Sequence, residues 1–101
     1  MKPRVLNEAE EELTATMLYY EGCREGLGAE FLAVATEAIL SIGDEPLRYP
    51  VYEGKQLKRE FRRARIARFP YIVVYEVRQD ETLIVAVAHT SREPGYWDNR
   101  H

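Results

Sequence analysis

A chain of 101 residues is long enough for one domain of about two layers and too short for two separate cores. Its 46% hydrophobic and 31% charged residues are those of a soluble globular chain, and no apolar run reaches the length of a membrane span. A formal charge of −3 and a lone cysteine, Cys23, argue against a general polyanion binder, an internal disulfide and an all-cysteine metal site. The first residues have no apolar segment of signal-peptide length before the acids begin, so the cytoplasm is the expected compartment.

The chain opens with a short strand over residues 3–6, with Pro3 at its start. Asn7 is the expected N-cap of a first helix, and Glu10 completes a capping box. Ala9, Leu13, Thr16, Met17 and Tyr20 recur at helical spacing and form its apolar stripe. The acids Glu8 to Glu12 read as a solvated helix start, which the helix dipole favours. Gly22, Gly26 and Gly28 end this helix by about residue 25. A second helix runs from Ala29 to Ile42, with Phe31, Leu32, Ala35, Ala38, Ile39 and Ile42 inward, and Gly43 and Pro46 stop it. The short gap between the two implies an antiparallel helical hairpin.

Residues 46–56 form a loop rich in proline and tyrosine, after which strands are expected at 59–67, 71–78 and 82–90. Arg78-Gln-Asp-Glu81 is the hairpin turn between the last two. In the final strand Leu83, Val85 and Val87 form one apolar face and Ile84, Ala86 and Ala88 the other, so it is central and covered on both sides. The order βααβββ, a helical hairpin on a small, mostly antiparallel four-stranded sheet, makes a single α+β domain over residues 1–101.

Charge is divided unevenly along the chain. Residues 1–50 carry 4 basic and 10 acidic side chains, whereas residues 51–101 carry 10 basic and 7 acidic. Seven of the basic groups lie between Lys55 and Arg68. With Ala64 and Ile66 facing the core, Arg59, Arg63 and Arg65 share the open face of their strand. They either protect a sheet edge from aggregation or dock an acidic partner or phosphate.

The end of the chain gathers the remaining candidates. His89 closes the last strand on the parity of Leu83, either as a hydrogen-bonded structural residue or as a general base. Tyr96 and Trp97, after the Pro94-Gly95 bend, serve either as a lid on the core or as a binding surface. Arg92 has no apolar role and is the better functional candidate. Residues 91–100 are too few for a layer of their own, so they lie on the sheet or project from it. Truncation after Thr90 is therefore expected to leave the domain folded. Paired carboxylates, a phosphate loop, a nucleophile elbow and metal-ligand spacing do not stand out, and no cofactor is indicated.

The chain resembles the RelE/ParE toxins of bacterial type II toxin–antitoxin systems. The resemblance is carried by Glu8-Ala-Glu-Glu-Glu-Leu13, Tyr19-Tyr20-Glu21, Gly26-Leu-Gly-Ala-Glu-Phe-Leu32 and the Tyr49-Pro50 loop. It extends through the arginine-rich strand and Phe69-Pro-Tyr71, and is most specific in Ala86-Val-Ala-His89 followed by Arg92-Glu-Pro-Gly-Tyr-Trp97. That family divides by target. RelE-like members cleave messenger RNA on the ribosome, and ParE-like members inhibit DNA gyrase without known hydrolytic chemistry. RNA cleavage needs a base, an acid and cationic stabilisation of a phosphorane-like state. Where RelE-like toxins carry an arginine before an aliphatic pair and a tyrosine, this chain has Ile72 before Val73-Val74-Tyr75.

The resemblance therefore implies a ParE-like toxin whose partners are a cognate antitoxin and DNA gyrase, with no membrane and no direct DNA binding. Arg92, Tyr96 and Trp97 are the expected target-binding residues, and Arg59, Arg63 and Arg65 the expected antitoxin-binding ones. The alternatives are a ribosome-dependent endoribonuclease working through Arg65, His89, Arg92 and Tyr96, or an inactive relative that binds only its antitoxin.

Overall fold

Strand pairing decides how the chain enters its first helix. In the computed structural model, which describes residues 2–53 and 57–101, β1 (Arg4–Val5) runs directly into α1 (Asn7–Cys23). Leu6, between them, is extended and buried, and its N–H donates to Ile84 O at 3.0 Å. Leu6 rather than Asn7 is thus the N-cap, its carbonyl accepts from Glu10 N–H, and the expected capping box does not form. The sheet hydrogen bond fixes Leu6 one residue before Asn7, and tertiary pairing overrides the local capping preference.

The expected helical hairpin is present, and its turn is built by glycines and one acid. Gly22 lies inside α1, whereas Gly26 takes a left-handed conformation, φ 89°, as the N-cap of α2 (Leu27–Asp44). Glu21 receives Gly26 N–H and Gly28 N–H on its two carboxylate oxygens, at 2.9 and 3.0 Å. One side chain of α1 therefore satisfies two free donors at the start of α2. Gly28 belongs to the second helix instead of ending the first, and it lies close against the α1 backbone at Met17. The α1 stripe faces inward as expected; of the α2 stripe, Leu32 alone is exposed.

The three later strands are β2 (Arg62–Arg65), β3 (Tyr71–Val77) and β4 (Thr82–His89). The sheet order is β1-β4-β3-β2, with β1 parallel to β4 and the other pairs antiparallel. This is the α+β arrangement read from the sequence. Helices cover one face, where Phe31, Ala35, Ile42, Val73, Tyr75 and Ile84 form the larger core. β2 is shorter than expected, which leaves Arg59 outside it. Side chains of the sheet help to fasten the preceding loop. Tyr75 donates its hydroxyl proton to Pro46 O at 2.6 Å, and Arg62 Nη1 donates to Tyr49 O at 2.7 Å. Burial pushes the Tyr75 phenol up to about 12.

β4 is central and buried on both sides, but a bulge breaks its alternation. Val74 pairs with Ala86 and Tyr75 with Ile84, so Val85 is an extra residue in the ladder. Leu83, Val85, Ala86 and Ala88 consequently share one core, while Ile84 and Val87 join the core beneath the helices. The two faces expected from strict alternation are exchanged beyond Val85. His89, two residues after Val87, packs edge-on against Tyr71 with ring centroids 5.0 Å apart.

Candidate functional site

The last ten residues form a strap over the sheet face that the helices leave uncovered. Beyond His89 the backbone turns repeatedly: Arg92 N–H donates to His89 O, Asp98 N–H to Gly95 O and Arg100 N–H to Trp97 O. Gly95 has φ 88°, which makes the bend accessible to glycine at little strain. The strap's anchor is Trp97, 1% exposed, in a second core with Leu6, Phe61, Ile72, Val74 and Leu83. Its ring meets Tyr52, Phe61 and Tyr96 edge-on at centroid distances of 5.0, 6.4 and 5.2 Å. Of the two sequence readings, the lid describes Trp97. Its indole is not presented beside Arg92 and Tyr96 at the surface, because it packs with Phe61 in the core on this side of the sheet.

Glu12 clasps the strap from one side. The β1 strand pairs with only Leu83 and Ile84, so the edge of β4 beyond them needs other hydrogen-bond partners. Val87 N–H donates to Glu12 Oε1 at 3.0 Å, and Val85 O accepts from Arg100 Nη1 at 3.0 Å. Arg100 also grips both oxygens of Glu12, at 2.8 and 3.2 Å, and Tyr96 donates its hydroxyl proton to Oε2 at 2.6 Å. Burial, and then the bond to this carboxylate, raises the Tyr96 pKa well above the ordinary phenol value. Burial acts to lower Arg100, but its contacts with Glu12 outweigh this and raise it. Glu12 is therefore inward, unlike the solvated acids expected around it.

The other side is held by residues that precede β2. Lys58 N–H donates to both oxygens of Asp98, at 3.2 and 3.0 Å, and Lys58 Nζ to Asn99 Oδ1 at 3.0 Å. Arg59 lies over the Phe61 ring, pairs with Glu76 at 3.2 Å and donates to the carbonyls of Asp98 and Arg100. Its side chain is 20% exposed. Arg59 is thus a brace for the strap and does not share an open face with Arg63 and Arg65, as the sequence suggested. The cause is the late start of β2, which frees Arg59 to reach the carbonyls of the chain's end.

Arg63 and Arg65 remain exposed cations on the outer strand of the sheet. Pro50 O accepts from Arg63 N–H and Phe61 O from Tyr52 N–H, so residues 50–52 cover the first half of that edge. Among the described residues no backbone pairing continues along Arg65. Arg65 borders a cleft against α2 together with Arg48, Tyr49 and Ser41. Arg63 borders a second cleft, with Tyr52, Glu53, Ile72 and Thr90.

Of the four residues of the ribonuclease alternative, Arg92 and Tyr96 come together and Arg65 stands apart from them. Arg65 is on β2 at one edge of the sheet, whereas Tyr96 and Arg92 gather around Glu12 at the β1 side. His89 is occupied in the turn after β4: its Nδ1 accepts from Ser91 N–H at 3.0 Å and lies 2.7 Å from Ser91 Oγ. The structural reading of this histidine accounts for its contacts. Arg92 is 57% exposed, lies over the Tyr96 ring at 3.9 Å and pairs with Glu12 at 3.6 Å. Among the described residues no group of three or more histidine, cysteine, aspartate or glutamate side chains is placed to hold a metal.

A sequence model of the ParE toxin of the type II toxin–antitoxin system parDE matches residues 4–94, most of the chain. The chain belongs to this family. No individual curated protein matches it. The ParE match takes in the helical hairpin, all four strands and Arg92, and ends before Tyr96, Trp97 and Arg100. Membership of a toxin–antitoxin family implies an antitoxin partner. No described helix is long and apolar enough to cross a membrane. Sequence reasoning missed Glu12 and Arg100. Glu12 did carry a signal, since it lies three residues after Ala9 and four before Thr16, both buried on α1. Nothing local marks Arg100.

Proposed function

We propose that this ParE-family chain is a non-enzymatic toxin that inhibits DNA gyrase by binding it in the cytoplasm, and that a cognate antitoxin neutralises it. The observation that carries the reading is the dispersal of the candidate catalytic set. A phosphorane-like state needs cationic charge and proton-transfer groups within one site. Instead, Arg65 and Tyr96 lie at opposite sides of the sheet, and aliphatic Ile72 lines the cleft beside Arg63. Arg92 and the neighbouring strap supply an exposed, ordered cation suited to recognition. The test is supercoiling of relaxed plasmid by purified gyrase, run beside a ribosomal messenger-cleavage assay. Loss of supercoiling with intact message is expected. Cleaved message with normal supercoiling overturns the proposal and establishes the ribonuclease.

The antitoxin is read as a disordered segment that folds on this domain, with acidic residues near Arg63 and Arg65. The open edge beside Arg65 and the cleft against α2 support an added strand or a helix in a groove. Replacing both arginines with glutamate is expected to weaken the complex and reverse the effect of salt on it, since like charges then face the acids. Calorimetry at low and high salt measures this. An unchanged affinity and salt response would mean that the two arginines only protect the edge.

A further inference from the structure

We propose that Glu12 is a positioning residue that fixes the exposed Arg92 guanidinium for recognition, both by its own ion pair and through Tyr96. This rests on the reading that Arg92 belongs to the target-binding surface. Arg92 and Arg100 both approach the Tyr96 ring, at 3.9 and 5.0 Å from its centroid. Arginine over a ring is held by the ring's quadrupole, but only while the ring itself is fixed. Glu12 fixes it: Oε2 takes the Tyr96 hydroxyl proton at 2.6 Å and lies 3.6 Å from Arg92 Nη1. Glu12 is in turn immobilised by Val87 N–H and by both Arg100 nitrogens. Its side chain is 16% exposed, and its backbone lies within α1. The order of support runs from Val87 of β4 to Glu12, and from Glu12 to Arg92 both directly and by way of Tyr96.

Such an arrangement reduces the entropy that a long cationic side chain loses when a partner binds it. Glu12 touches no partner itself. Its effect is to keep Arg92 in one place, so that removing it weakens recognition without removing any interface group.

Nuclear magnetic resonance of the full chain reads the position of Arg92 directly. Its guanidinium carbon lies 3.9 Å from the Tyr96 ring centroid, so the neighbouring Nε–H and δ-methylene protons are expected to be shifted upfield, with Tyr96→Leu as the reference for complete loss. In Glu12→Ala the shift collapses towards that reference, and in Glu12→Gln it falls partway. The glutamine keeps an acceptor for Val87 N–H, so it decides the matter if the alanine variant is unfolded by circular dichroism. An unchanged shift overturns the proposal.

Gyrase inhibition supplies the second arm. Glu12→Ala is expected to raise the half-inhibitory concentration about two- to tenfold, the factor for ordering one long side chain on binding. On an Arg92→Ala background the same substitution adds nothing, because Glu12 acts through Arg92. A further loss in the double variant overturns the positioning role and makes Glu12 a general structural residue. If the unaltered chain leaves gyrase uninhibited, the functional reading fails, and the ring-current shift alone decides the role of Glu12.

Discussion

Trp97→Ala is expected to destabilise the domain by about 3–5 kcal/mol, the range for truncating a large buried aromatic. Trp97 is 1% exposed and fills the second core between Phe61, Tyr52 and the β3–β4 surface. Its indole N–H has no hydrogen-bond partner among the described residues, so the loss is one of packing and transfer rather than of a polar contact. Small domains have total stabilities of about 5–15 kcal/mol, so this one change removes a large share. Urea unfolding followed by circular dichroism measures it; a loss below about 1 kcal/mol would show that the strap is dispensable.

The same geometry corrects the expectation that truncation after Thr90 leaves the domain folded. Truncation would uncover Ile72, Val74, Leu83, Val85 and Ala86 together, and would also leave Glu12 without Tyr96 and Arg100. Toxicity lost on truncation therefore cannot be assigned to a binding surface unless folding is checked first. Arg92→Ala is the cleaner probe, because that side chain is 57% exposed and contributes to no core.

Gly28→Ala is expected to be the next most damaging change. An added Cβ would lie 2.6 Å from the Met17 carbonyl oxygen and 2.9 Å from Glu21 Oε1. A backbone oxygen in the middle of α1 cannot step aside as a flexible side chain can. The helices would have to separate, at an overpacking cost of about 1–3 kcal/mol or more. Against this, alanine gains about 1 kcal/mol over glycine in helix propensity. Displacing α1 also strains the two Glu21 bonds to Gly26 N–H and Gly28 N–H, which tips the balance to net destabilisation. Thermal unfolding of the variant provides the measurement. A raised melting temperature would mean that propensity prevails and that the helices are not held at this distance.

The contrast between these residues reflects how far a sequence signal reaches. Ala9, Thr16, Phe31, Ala35 and Ile42 were legible as core because helical spacing repeats within a few residues, and all five are buried. The double-faced apolar run of β4 likewise identified a central strand, and the chain order of helices and strands followed from the change of period. Gly28 was visible as a residue, but its meaning depends on the α1 backbone opposite, which spacing does not encode. Arg63 and Arg65 were correctly read as exposed, since their neighbours Ala64 and Ile66 took the core side.

What the amino-acid order determined by itself was local: amphipathic helices, apolar strands, a basic edge and a bent end. Tertiary structure decided which polar residues are spent holding the fold. Glu12 meets Val87 and Arg100 across 75 and 88 residues of chain, and Arg59 meets the carbonyl of Arg100 across 41. Such contacts leave no periodic trace, because they arise only when β1 stops short and leaves the β4 edge unpaired, and when β2 starts late and frees Arg59. The Val85 bulge has the same origin: one extra residue in a ladder is recognisable only against its partner strand, and it reverses every side chain that follows. Trp97 turned inward because the sheet face opposite the helices needs a cover, and burying one indole there removes more apolar surface from water than any other residue of the strap offers.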